Sequence, residues 1–256
     1  MKVFVSLTFD DGNESQYTDF YPVLEKYGFR GTFYIVTSQI GMAGKMSFDQ
    51  LRDLFRHGNE IGSHTHTHPH LTKLPDRFVE LELRKSKEVL EEFDPQSLAC
   101  PAGDYDSRVI GIAKKYYTSA RGYRDPGETV NTGVNTGRTS ELYALKTIPA
   151  RDFMRQPEIV SKVRSNKKWI ILVLHGDWPD TSFFPWFFKN KIVPVVRYRT
   201  LTLSNIRGFL NNLVNGVQKP EEPGLEDVCR LIDESGLKVL TVSEAVRKMY
   251  KIKQRD

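Results

Sequence analysis

The sequence predicts an α/β fold: a distorted (β/α) barrel of seven or eight strands, closed or incompletely closed. Three observations predict it. Strand-like runs alternate with amphipathic helical patterns along the whole chain, which calls for parallel strands with helices packed outside them. The chain has 256 residues, 39% hydrophobic and 11% aromatic, a size and composition that suit one barrel-sized domain over 1–256. No internal repeat or low-complexity tract breaks the alternation, and no apolar run approaches the ~20 residues that span a bilayer.

The first strand is read at 2–9. A polar turn, Asp11-Gly12-Asn13, leads to a helix over 15–27 in which Tyr17, Phe20, Tyr21, Leu24 and Tyr27 recur at helical spacing, and Gly28 ends it. A second strand is read at 31–37, rich in β-branched and aromatic residues. Ser47 and Gln50 then form a capping-box signature for a helix running to His57, closed by Gly58. A third strand is expected at 59–64, a charged helix at 76–93, a fourth strand at 97–101 and a helix at 107–117. Short strands are expected at 118–121 and 144–148. A helix beginning near Pro157, where proline suits the first turn, precedes an apolar strand at 169–174. An aromatic-rich insertion occupies about 178–203, and helical patterns cover 203–215 and 225–235. The last strand is placed at 238–242, with Ser243 capping the final helix.

Lysine and arginine number 37 against 32 acidic residues, a net charge of +5 spread along the chain. With no basic block, neither nucleic acid nor membrane is an expected partner. Cys100 and Cys229 form neither a disulfide framework nor a zinc-ribbon spacing, and both are expected to be reduced and buried. The chain opens directly on a strand pattern with no charged leader and apolar stretch, so a cytoplasmic location is expected, a removed leader being the alternative.

Three motifs carry chemistry. Four of the six histidines fall in His64-Thr65-His66-Thr67-His68-Pro69-His70, directly after the third strand. Neutral imidazole is a common zinc ligand, and two histidines four apart can meet one ion if the chain turns between them. The plainer reading is a solvated or hydrogen-bonded cluster. Thr8-Phe9-Asp10-Asp11-Gly12 puts two adjacent carboxylates at a strand end, costly to keep ionised unless a cation or donor offsets them. One could ligate while the other serves as a base; a turn with a helix cap is the alternative. The third motif is the apolar strand that ends in Leu174-His175-Gly176-Asp177, bringing a histidine to the barrel mouth, a hydrogen-bonded histidine at a strand end being the alternative.

These motifs, with Pro101-Ala102-Gly103 and in this chain order, resemble the polysaccharide deacetylases, the carbohydrate esterases of the NodB homology domain. The resemblance covers about residues 2–177, with 239–245 similar to the usual closing strand and helix. It implies a distorted (β/α) barrel that removes acetyl groups from N-acetylated carbohydrate with a divalent metal, most often zinc. By position it assigns Asp11, His64 and His68 to the metal, Asp10 to the general base, the Ala102 N–H to the oxyanion and His175 to the general acid. Tyr105, Asp177 and Trp186 are candidate substrate contacts.

Two departures stand out. Where the family has an arginine bracing the base aspartate, this chain has Ala99, and Arg121 at the next strand end is the candidate substitute, a surface arginine being the alternative. The tryptophan and aspartate that normally partner the acid histidine are also missing, leaving Asp177, Asp125 or Asp152 for that task. Phe183-Phe184-Pro185-Trp186-Phe187-Phe188 holds five aromatics, a candidate wall beside the site or a subunit contact in a homo-oligomer, with core packing as the alternative. Rival functions are a same-fold hydrolase of a cyclic imide or ureide, a non-catalytic carbohydrate- or metal-binding protein, and a mononuclear iron oxygenase, which also uses two histidines and a carboxylate.

Overall fold

A computed structural model describes residues 3–122, 133–155, 169–175 and 224–251. The expected insertion at 178–203 and the helices near Pro157 and over 203–215 lie outside the described residues. The described elements belong to one compact unit. Its strands are β1 (Phe4–Phe9), β2 (Gly31–Ile35), β3 (Glu60–Ser63), β4 (Ser97–Ala99), β5 (Ser119–Arg121), β6 (Val134–Asn135), β7 (Ile148–Pro149), β8 (Trp169–Leu174) and β9 (Lys238–Val239). The α-helices are α1 (Tyr21–Lys26), α2 (Phe48–Arg56), α3 (Asp76–Val89), α4 (Ser107–Ala113), α5 (Ala150–Arg155), α6 (Leu225–Glu234) and α7 (Val242–Tyr250). No helix among the described residues is long and apolar enough to cross a membrane.

The strands form an open, curled half-barrel in the order β5-β4-β3-β2-β1-β8-β6, with β7 also on β8 and β9 on β1. Every pairing is parallel except β6 with β8. Strand β1 lies at the centre and is buried along its whole length. Its polar residues are satisfied inside: Ser6 Oγ donates to Leu240 O at 2.7 Å and Thr8 Oγ1 to Leu172 O at 2.8 Å. Helices α3 and α4 close one side over Leu98 and Ala120, and α7 packs on Phe4, Trp169 and Ile171.

Register, more than composition, places the chemistry. Strands β1 and β8 pair from Phe4↔Trp169 to Phe9↔Leu174, so they end level and Asp10 emerges beside His175. Strands β4 and β5 pair Ala99 with Arg121. The parallel strands therefore deliver their last residues to one edge, where barrel folds keep their chemistry.

Several elements differ from the sequence expectation, each for a local reason. The helix expected over 15–27 begins as a π-helical turn, Gln16–Phe20, before α1; Pro22 has no N–H to continue the ordinary ladder. The strand expected at 144–148 is split into a single bridge, Arg121↔Leu145, and β7. Between them the Asn135 side chain accepts from Lys146 N at 2.8 Å and donates to Lys146 O at 2.9 Å, taking the backbone groups a continuous ladder would use. The last strand stops at Val239, and the final helix is capped by Thr241, not Ser243. Thr241 and Glu244 complete a capping box, which frees Ser243 Oγ to donate to Glu60 at 2.6 Å. Both cysteines are free and buried.

Candidate active site

Asp11 follows β1 in a left-handed turn, with φ 77° at Asp11 and 64° at Gly12. A Cβ on Gly12 would lie 3.3 Å from Ile35 Cδ1, so the turn packs tightly against β2. Lys45 secures it from outside: its Nζ donates to Asp11 O at 3.0 Å and to Asn13 Oδ1 at 2.7 Å.

His64 follows β3 and is 3% exposed. Its Nδ1–H donates to Ala99 O at 2.8 Å, which fixes the tautomer and leaves Nε2 with its lone pair. Burial pushes the His64 imidazole pKa down, the Asp10 charge pulling it back only in part, so the ring is neutral near pH 7. The chain then turns at Thr65 and His68, with φ 66° and 63°, and His68 N donates to Thr65 Oγ1 at 3.0 Å. This turn brings the two rings edge to face, 4.7 Å between centroids. Glu82 on α3 holds the loop by accepting from His66 N at 2.9 Å, Thr67 N at 2.7 Å and Thr67 Oγ1 at 2.7 Å.

Asp11 Oδ1 lies 3.6 Å from His64 Nε2 and 3.6 Å from His68 Nε2, and one ligand atom from each of the three residues falls within 4.8 Å of the others. Donors about 2 Å from a tetrahedral ion stand roughly 3.3 Å apart, and both carboxylate–imidazole distances lie near that spacing. The three residues form a possible metal site.

Asp10 is 4% exposed. Its Oδ1 accepts from Arg121 Nη2, its Oδ2 lies 3.8 Å from His175 Nε2, its N–H donates to Leu174 O at 3.1 Å, and its carbonyl accepts from Gln16 Nε2. Burial raises the Asp10 pKa, but the charges of Arg121, His64 and His175 and the Arg121 hydrogen bond together bring it below the ordinary carboxylate value. The group is ionised at neutral pH.

Arg121, from the end of β5, is 3% exposed and turned inward, so it is not a surface arginine. Ala99, its lateral neighbour on β4, contributes its carbonyl to His64 instead. Ala102 stands in the short turn Pro101–Gly103 with φ 54°. Among the described residues, four of the six non-glycine residues at positive φ are thus Asp11, Thr65, His68 and Ala102, all in loops at this edge; conformations of this kind cost ~1–3 kcal/mol each and gather at functional sites.

Tyr105, expected as a substrate contact, is 8% exposed. It packs with the core under α3 and α4 and so closely on Gly122 that a Cβ there would lie 2.2 Å from its ring. Asp125, Asp177 and Trp186 lie outside the described residues. Among the described residues, the carboxylate facing His175 is that of Asp10. Sequence reasoning missed Lys45, Gln16 and Glu82. No motif announces them; only the loop pairing Asn13↔Lys45 and the docking of α3 bring them in.

Residues 2–120 match the family model described as polysaccharide deacetylase. The chain is 31% identical over 147 residues to the Bacillus subtilis protein YxkH, covering 56% of this chain and 50% of that one. It is 27% identical over 138 residues to a peptidoglycan-N-acetylglucosamine deacetylase of Bacillus cereus, covering 52% and 63%. Among solved structures, the Streptococcus pyogenes deacetylase PplD superposes with a TM-score of 0.50 at 25% identity, over 56% of this chain and 62% of that one. The Xyl-CE4 domain of a multidomain xylanase from a Trinervitermes trinervoides hindgut metagenome shares the fold over 99% of this chain and 93% of its own, with a TM-score of 0.55 at 16% identity. The chain spans half the length of YxkH. Through residues 2–120 and these relatives, the chain is similar to the polysaccharide deacetylase family.

Proposed function

We propose that this chain is a metal-dependent hydrolase that removes acetyl groups from an N-acetylated sugar or polysaccharide. The observation that carries this reading is the convergence of Asp11, His64 and His68 with an ionised Asp10 and a histidine, His175, at the same edge. Asp11, His64 and His68 would hold a divalent cation, with zinc the best match to two imidazoles and one carboxylate. When bound, the cation supplies a Lewis acid for the acetyl carbonyl and lowers the pKa of water.

The chain's own residues supply the proton transfers. Arg121 holds Asp10 Oδ1, leaving Oδ2 free to take the proton of the attacking water. The Ala102 N–H is the donor assigned to the developing oxyanion. As the C–N bond breaks, the sugar nitrogen takes a proton from His175, whose Nε2 faces the same Asp10 oxygen that receives the first proton. The two transfers therefore share one short path at the mouth. Substrate contacts by Asp177 or Trp186 belong to this reading as well, as do a single-domain organisation and a cytoplasmic location.

The test is acetate release from N-acetylglucosamine oligomers by the zinc-loaded protein, run beside ring opening of a cyclic imide. Acetate release supports the proposal. Ring opening without acetate release replaces it with the non-sugar amide hydrolase, the reading favoured by an arginine arriving from β5 instead of β4.

A further inference from the structure

Buried deeper than the charged pair is an aromatic platform. Tyr34 on β2 is fully buried, and the Arg121 guanidinium carbon lies 4.4 Å from its ring centroid. The two residues sit three strands apart, since the sheet runs β2-β3-β4-β5. The contact exists because what lies between is small. Tyr34 pairs in register with Gly62, and a Cβ on Gly62 would fall 2.6 Å from Tyr34 Cε1 and 3.0 Å from Ser97 Oγ. Ala99, beside Arg121, extends no side chain beyond its methyl group.

The guanidinium needs such a support. Its Nε has no hydrogen-bond partner among the described residues, and its described ion pair is made by Nη2 with Asp10 Oδ1. One hydrogen bond fixes a distance but leaves the plane of the group free to rock. A ring face beneath it removes that freedom, and a desolvated cation–π contact is strong enough to do so.

We infer that Tyr34 is a positioning residue: its ring face fixes the Arg121 guanidinium so that Arg121 in turn holds the Asp10 carboxylate with Oδ2 directed at the reacting water. The inference rests on the proposed deacetylase chemistry. It also gives Gly62 and Ala99 a shared purpose, that of clearing the space in which the two side chains meet.

The experiment compares the parent with Tyr34→Phe and Tyr34→Leu, each alone and combined with Arg121→Lys, which keeps a cation but not the planar fork. Zinc-loaded proteins are assayed for acetate release from penta-N-acetylchitopentaose. Tyr34→Phe should retain kcat within about twofold, while Tyr34→Leu should lose roughly 5- to 30-fold in kcat with KM little changed. In the Arg121→Lys background, Tyr34→Leu should add less than about twofold, because it acts through a geometry already lost. In metal-free protein, the Arg121 side-chain N–H signals should be shifted by the ring in the parent and Tyr34→Phe, and lose that shift in Tyr34→Leu. If Tyr34→Leu does not fold, Tyr34→Met takes its place. An active parent whose kcat and Arg121 signals are indifferent to Tyr34→Leu overturns the inference alone. An equal loss in both backgrounds does so too, since it marks a merely structural role. A zinc-loaded parent that releases no acetate overturns the proposed function, and this role with it.

Discussion

Arg121 and Asp10 stand 111 positions apart in the chain and meet as an ion pair whose side chains are only 4% and 5% exposed. Two charges so far from water depend on one another: removing one partner of a buried pair costs about 3–5 kcal/mol, mostly through the charge left behind. Arg121→Met should therefore lower unfolding stability in urea by about that much. Adding Asp10→Asn should recover part of the loss, because no bare charge remains. An Arg121→Met variant as stable as the parent would show that the pair does not form in solution.

Asp10→Asn keeps the shape of the base and removes its ability to take a proton. The expected outcome is a loss of acetate release of about 10²- to 10⁴-fold, the usual weight of general base catalysis. Zinc binding, measured by calorimetry, should survive, since Asp11, His64 and His68 are untouched. Full turnover in Asp10→Asn would refute the base assignment.

Dialysis against a chelator should abolish hydrolysis, and zinc or cobalt should restore it. Asp11→Asn, His64→Asn and His68→Asn should each lose more zinc affinity than any substitution outside the three. Turnover that is undiminished in protein shown to be metal-free by elemental analysis would remove the cation from the mechanism.

How much of this could be read from the sequence depends on the range of the interaction. The alternation of strands and helices, the capping box at Ser47 and the dense histidine motif are local patterns, and the fold class follows from them. The closeness of Asp10 and His175 is not local: it depends on β1 and β8 ending level, a register that no single stretch encodes. Arg121 was a candidate only because Ala99 left a gap, and its inward turn is a product of the β4–β5 pairing. The split of the strand at 144–148 was illegible for a similar reason, since it depends on an asparagine about ten residues upstream. The cap at Thr241 is legible: Thr241 and Glu244 have the capping-box spacing, which Ser243, followed three residues on by Val246, lacks.

Glu82 offers a test of how the histidine loop is held. Its carboxylate accepts three hydrogen bonds from His66 and Thr67 but lies outside the set of metal donors. Glu82→Ala should leave the fold intact, at a cost of about 1–3 kcal/mol, and weaken zinc binding about 10- to 100-fold, as substitutions of groups that orient metal ligands do. Equal zinc affinity in Glu82→Ala and parent would mean that the His64 to His68 turn holds itself.

The metal-free protein should lose stability on mild acidification, and His64 should be a principal reason. Burial holds the His64 pKa below its ordinary value of 6.5. In the window between the folded value and 6.5, the unfolded chain binds more protons than the folded one. Stability is therefore complete above the window and falls as pH drops through it, with a limiting slope of about 1.4 kcal/mol per pH unit for one such proton. His66, whose pKa is also lowered, first by burial and then by Lys85, acts in the same direction. Asp10 does not contribute in this range: its pKa is held below the ordinary 3.8, so the stability tied to its ionised form is lost only at more acid pH. Melting temperatures of metal-free parent, His64→Asn and His66→Asn between pH 7.5 and 5.5 separate these terms. Both variants should show a shallower decline than the parent, His64→Asn the more so because His64 is the more deeply buried. An unchanged slope in His64→Asn would mean that the imidazole takes up a proton in the folded chain as readily as in the unfolded one, which is incompatible with burial holding it neutral.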